Sequence, residues 1–347
     1  MGDKSHIGWT DASWNPTTGC SRVSPGCTNC YAFALHDKRY AANRKEAKIM
    51  AGLLEEPGER HVRRSEGWSQ YVERVGSPPE GWAARGRAVG VPMPYPRQYD
   101  LPFSQVQLLP DRLDQPLRWR KPRRIFVDSM ADLFHEDVPG NFIRSVFEVM
   151  ANAQQHTFQV LTKRPERMHE LLNKPVVGEP PHRVWPRPWP LPNVWLGVSC
   201  EDQQTADERI PLLLETPAAV RFVSAEPLLG PVELTRLPSH YDGDDRPLLR
   251  LDALRGGHWC GPGQFGPDTA HLNWVIVGGE SGPHARPMEL AWARSIRDQC
   301  RAAGVAYFGK QDSGARPGVV LPGDLGDQEW PGTAAPAAAR HETGVPV

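Results

Sequence analysis

The chain has no apolar run long enough to cross a bilayer and no excess of charge of either sign. The first absence removes a helical membrane span. The second, 40 Lys and Arg against 41 Asp and Glu for a net charge of -1, argues against a general polyanion-binding surface. The amino-terminal stretch Met1–His6 has no apolar signal core, so a cytoplasmic location is expected. Six cysteines in 347 residues are too sparse for a disulfide framework. No internal repeat is evident, and 347 residues can bury one large α/β core or two ordinary ones.

What is abundant is proline, 36 residues in all, gathered in loops and leaving compact islands between them. The islands repeat a β-branched run, a polar residue at its end, then a helical stretch. The runs are Arg124–Ser129, Thr157–Thr162, Val194–Ser199, Val220–Ser224 and Trp274–Gly279, with a first strand expected within residues 7–15 and an edge strand at Val305–Gly309. Near-continuous apolar strands suit a parallel sheet covered on both faces. Helices are expected over 139–152, with Pro139 in the first turn, over 165–173, and over 287–303, stopped by Gly304. This alternation predicts right-handed β/α units, about six of them, in an α/β fold of the incomplete (β/α)6 TIM-like barrel kind. One unit is expected over 1–320. Insertions interrupt it at about 52–100, with a helix near Ser69–Val75, and at 236–271, where Gly256–Gly263 has a loop composition. A disordered tail is expected over 321–347.

Three of the six cysteines, Cys20, Cys27 and Cys30, share one short loop. Three thiolates are one too few for a closed tetrahedral site. They suit a 4Fe–4S cluster with one iron open to a small molecule, or structural zinc completed by His36, or three plain loop thiols. Each strand run ends in a group able to bind something: Asp128 and Ser129, Lys163 and Arg164, Ser199 with Glu201, Ser224 with Glu226, Gly278, Gly279 and Glu280, then Lys310 and Gln311. In parallel α/β folds those ends surround the active site. The basic run Arg118–Arg124 precedes a strand and is expected on the opposite, solvated face. Arg63, Arg64, Trp68, Trp82, Arg85 and Arg87 suit either a lid over nucleic acid or an ordinary insertion. For His135-Glu136-Asp137, capping of the next helix by Asp137 is the simpler role.

The strings Trp14-Asn15-Pro16-Thr17-Thr18-Gly19-Cys20, Phe126–Phe134, Leu161-Thr162-Lys163-Arg164-Pro165, Ser224-Ala225-Glu226-Pro227-Leu228 and Gly278-Gly279-Glu280-Ser281-Gly282 resemble the three-cysteine-motif proteins of bacteriophages and prophages. That family is in turn similar to the radical S-adenosylmethionine enzymes. The second resemblance implies that Cys20, Cys27 and Cys30 hold a 4Fe–4S cluster whose open iron binds S-adenosylmethionine, cleaved reductively to a 5′-deoxyadenosyl radical. It implies that Asp128 and Ser129 meet the methionine amino group, Lys163 or Arg164 its carboxylate, and Ser199 and Glu201 the ribose. Glu226 and Glu280 stand on the same rim, while Gly278 and Gly279 would admit adenine close to the backbone. The spacing C-x6-C-x2-C departs from the common C-x3-C-x2-C, Asn29 stands where an aromatic is usual, and Gly-Gly-Glu, usual after the second strand, comes only at the last clear run. A nucleic acid or nucleotide substrate, or a phage-encoded partner protein, is expected. The other class of function is a zinc-stabilised, non-catalytic nucleic-acid-binding or partner-binding phage protein.

Overall fold

The computed structural model describes residues 5, 7–50, 95–173, 185–186, 188–239, 250–260, 263–265 and 270–332. Seven parallel strands form one sheet: β1 (Ala12–Trp14), β2 (Arg124–Val127), β3 (Thr157–Thr162), β4 (Val194–Ser199), β5 (Val220–Ala225), β6 (Trp274–Gly278) and β7 (Ala306–Gln311). Each strand pairs with the next in chain order. Right-handed crossovers that always step the same way put every helix on one face and curl the other inward. The result is a seven-stranded half-barrel, whose edge strand β7 stands where Val305–Gly309 was expected.

The helices are α1 (Tyr31–Met50), α2 (Gly140–Asn152), α3 (Pro165–Asn173), α4 (Gln203–Glu215) and α5 (Leu290–Ala303). Pro139 is the residue before α2 rather than its first turn, and Gly304 ends α5 in the left-handed conformation, φ 71°. A capping box between Asp202 and Thr205 starts α4. Among the described residues, no helix lies between β5 and β6. A small antiparallel sheet of Leu237–Pro238, Arg250–Leu251, His258–Cys260 and Gly263–Phe265 takes that place, so strand replaces the loop expected at 256–263.

Alternation along the strands separates two cores. Ile125, Val127, Val160, Leu196, Val198, Val223, Val275 and Val277 face the helices. Phe126, Phe222, Trp274, Ile276 and Phe308 fill the concave side, with Trp9 wedged against them. Trp9 and Phe126 lie 4.7 Å apart between centroids, and Trp9 meets Trp274 edge-on at 6.3 Å. The lower half of the barrel is thus solid with aromatic rings, and open space remains above them.

The segment after Pro322 is not the disordered tail expected from 321. Gly309 N donates to Asp327 O, Glu329 N donates to Tyr307 O, and Phe308 bridges Gln328 in antiparallel sense. The chain therefore covers the outer edge of β7, which would otherwise offer unpaired backbone groups. Trp330 anchors it, packed on Trp274 at 5.0 Å and Phe308 at 5.2 Å. The rest of that expectation, residues 333–347, lies outside the described residues. So do the helix near Ser69–Val75 and the Arg and Trp residues of the first insertion. Arg124 pairs with Asp11 at 3.0 Å and Arg118 with Asp114, so these members of the basic run lie at the amino-terminal face, as its place in the chain predicts.

Gly197 faces Phe222 across the β4–β5 ladder. A β-carbon there would meet the Phe222 ring at 2.5 Å. Gly197→Ala should therefore destabilise the fold by about 1–3 kcal/mol, the usual cost of overpacking, read as a lowered urea midpoint with an unchanged slope.

Candidate functional site

The cysteine loop begins where β1 ends. Gly19 turns it with φ 97°, and a β-carbon there would collide with the Gln105 backbone. Gly19 N donates to Met130 O and Cys20 N to Phe103 O, fixing the start of the loop. A 3₁₀ turn over Pro25–Cys27 follows, and Cys30 precedes α1 directly. All three thiols line one cavity of about 250 Å³ at the carboxyl ends of the strands. Asp128, Ser129, Lys163, Arg164, Ser199, Glu226, Gly279 and Glu280 share that lining, and Trp9, Phe126 and Leu161 contribute its apolar part. The convergence expected from the strand ends is present. Glu201 sits just behind the wall, and Gly278 beneath Glu226.

Three strand-end side chains grip the loop. Arg164, after β3, donates to Ser21 Oγ at 2.7 Å, to Ser21 O at 3.3 Å and to Cys20 Sγ at 3.6 Å. Asp132 and Glu136 hold the same guanidinium at 3.2 and 3.1 Å. Glu201, after β4 and fully buried, accepts from Ser24 Oγ at 2.8 Å and pairs with Lys163 at 3.4 Å and Arg209 at 3.1 Å. Glu280, after β6, accepts from Asn29 Nδ2 at 2.9 Å and from Arg286, whose guanidinium also donates to Pro25 O. Each end of the loop and its middle is tied to a different strand.

The electrostatics follow from this. Burial and then the Asp132 charge push the Cys20 thiol up to about 11, and Arg164 opposes them. Burial resists ionisation of Glu280, yet the hydrogen bonds of Arg286 and Asn29 bring its carboxyl down to about 2. Burial lifts Asp128 to about 8, although Thr17 N and Oγ1 donate to it at 3.1 and 2.9 Å. Asp128 also has φ 59°, a strained setting for a residue with a β-carbon. Its neighbour Ser129 gives its carbonyl to Tyr31 OH at 2.6 Å and its hydroxyl to Asn15 Oδ1 at 3.2 Å.

Several expectations change. The space beside Gly278 is filled by Glu226, whose Oε1 would lie 2.4 Å from a β-carbon, and that beside Gly279 by Ser313 N at 2.3 Å. On the side where a β-carbon would project, these glycines make room for protein. Asp137 does not cap α2, which starts after Pro139. His135 Nδ1 accepts from Asp137 N at 3.1 Å, so Nε2 carries the proton and donates to Ser21 Oγ at 2.9 Å. Cys200 is fully buried on the helix side and lies away from the rim where its neighbour Ser199 opens. His36 is buried between Tyr99 and Phe103, with Nε2 on Leu101 O at 2.9 Å, and does not line the cavity.

Sequence reasoning left out Asp132, Asn29, Tyr31 and Arg286. Asp132 lies in the same run as Asp128, and a buried carboxylate beside a strand end was the available signal. Nothing local announces Arg286, six residues beyond Glu280.

Among the described residues, no three His, Cys, Asp or Glu side chains converge tightly enough to hold a metal ion as they stand. The donor set is three soft thiols around one cavity with a guanidinium beside the first, and thiolates serve iron–sulfur and zinc sites alike. A family model describing proteins of unknown function, DUF5131, matches residues 4–89 and 79–320. The chain belongs to the DUF5131 family. The match takes in the cysteine loop and all seven strands of this DUF5131 chain. No curated protein and no solved structure matches it.

Two outcomes follow. Gly26→Ala places a β-carbon 2.2 Å from Glu201 Oε1, so it should lower stability by about 1–3 kcal/mol in urea unfolding. For Asp128, the folded protein holds a proton that the unfolded chain releases near pH 4. Stability therefore falls as pH rises from about 4 to about 8. Asp128→Asn, which cannot ionise, should lose less stability than the parent between pH 5 and 8.5 in paired urea titrations.

Proposed function

We propose that the chain is a radical S-adenosylmethionine enzyme of phage type, in which Cys20, Cys27 and Cys30 hold a 4Fe–4S cluster. The observation that carries this reading is the shared cavity: three thiols and the strand-end polar groups line the same space at the mouth of a parallel half-barrel. When bound, the cluster would supply the electron that cleaves S-adenosylmethionine and so begins radical chemistry on a substrate.

The chain's own residues do the holding. Arg164, Glu201 and Glu280 set the loop in place before any ligand arrives, which lowers the ordering cost of binding. Arg164 also faces Cys20 Sγ, where a positive charge offsets that of a thiolate ligand. Its donors are committed to Asp132, Glu136 and Ser21, so Lys163 is the better partner for a methionine carboxylate. Asp128 and Ser129 receive the amino group and Ser199 a ribose hydroxyl, with Glu201 supporting the wall. The aromatic floor of Trp9 and Phe126 keeps water from entering from below. The proposed substrate is a nucleic acid or nucleotide, and the proposed location cytoplasmic.

Purification without oxygen, followed by iron, sulfide and zinc assays, tests the reading. Brown protein with about four iron per chain, and a spectrum altered by S-adenosylmethionine, is the expected result. Cys27→Ala should abolish iron loading while Cys260→Ala retains it. Colourless protein with one zinc per chain rejects the enzyme in favour of a zinc-stabilised binding protein.

A further inference from the structure

The cavity wall formed by β5 and β7 carries an ion pair that grips no part of the cysteine loop. Glu226 Oε1 meets Lys310 Nζ at 2.8 Å, and Glu226 Oε2 accepts from Ser224 Oγ at 3.0 Å. The two side chains are 13 and 24 % exposed, and both line the cavity, so their free capacity points into it. Among the described residues the Lys310 ammonium meets one partner, leaving two of its three N–H donors for a ligand. Each Glu226 oxygen likewise keeps a lone pair. The pair is built in at some cost: Gly278 must lack a β-carbon for the carboxylate to sit where it does. An acceptor fixed beside a donor matches a ligand edge with an N–H beside a carbonyl.

The shape of the cavity narrows the class. Tyr31, at the start of α1, lines the same cavity and is half exposed, a free aromatic face at its mouth. The lining carries Lys163, Arg164 and Lys310 against Asp128, Asp132, Glu226 and Glu280, so it has no surplus of positive charge. A flat, uncharged, nitrogen-rich ring suits these features better than an anion does.

We propose that Glu226 and Lys310 form the substrate subsite, reading the edge of a nucleobase that carries a ring N–H beside a carbonyl, guanine foremost and uracil second, with Tyr31 stacking on its face. Guanine offers two N–H groups to the carboxylate and its O6 to the ammonium, and uracil one N–H and one carbonyl. Adenine and cytosine have no ring N–H on that edge. The assignment rests on the nucleotide-substrate reading above and gives that substrate an identity. It takes Glu226 out of the cofactor's surroundings.

Calorimetric titration with guanosine, uridine, adenosine and cytidine tests it, and needs neither cluster nor S-adenosylmethionine, so loss of the iron assignment leaves this result standing. Guanosine and uridine should bind at least tenfold more tightly than adenosine and cytidine. Glu226→Gln and Lys310→Met should each weaken guanosine at least tenfold with circular dichroism and melting unchanged, and Tyr31→Leu should weaken all bases alike. Equal binding of the four nucleosides, binding of none, or guanosine affinity indifferent to both pair variants overturns the proposal. Preferred adenosine that S-adenosylmethionine displaces also overturns it, and returns the pair to the cofactor.

Discussion

A loop with three cysteines and no core of its own can hold a shape only if something outside it does the holding. Here the central hold is a carboxylate with no exposed surface, Glu201, shared among Ser24, Lys163 and Arg209. A buried charge is tolerated when paired and bonded on every side, and stripping one partner from such a set commonly costs about 3–5 kcal/mol. The arrangement is therefore all-or-none. Arg164 and Glu280 repeat the device at either end of the loop, so three strands act together as its frame.

That frame is rigid because of what lies below it. The concave face is packed with Trp9, Phe126, Phe222, Trp274 and Phe308, and the chain after Pro322 returns along β7 to add Trp330. Large rings in edge and tilted contact fill volume with few conformers. They fill the floor, so the cavity lies in the layer where the strands end. Polar groups there sit in a setting screened from bulk water, where single charges move proton affinities strongly. Asp128 and Glu280 are displaced in opposite directions within one wall, the first by burial with only Thr17 to bond it, the second by a full guanidinium.

Much of the fold was legible in the chain. The β-branched runs ending in polar residues marked β2 through β6 because parallel strands buried on both faces leave no alternation to misread. The cavity lining was legible for the same reason: carboxyl ends of parallel strands lie on one rim, so Asp128, Ser129, Lys163, Arg164, Ser199 and Glu226 had to meet there. The tail was not, since Pro and Gly density resembles disorder unless a distant edge strand is waiting for it. Nor was the sheet at 237–265, whose strands are two or three residues long and lack a period to detect.

The sequence by itself determined the α/β half-barrel, the gathering of three thiols on one loop and the rim they share, because strand order and local spacing carry that information. Which polar groups face a ligand and which are spent on the protein was decided only by the tertiary structure. Gly278 makes room for Glu226, Arg164 is consumed by Asp132, Glu136 and Ser21, and His36 turns to a backbone carbonyl. Contacts at this site join residues as far apart in the chain as Pro25 and Arg286, 261 positions. A side chain's free capacity is what remains after its neighbours in space have taken their share, and no pattern along the chain states who those neighbours are.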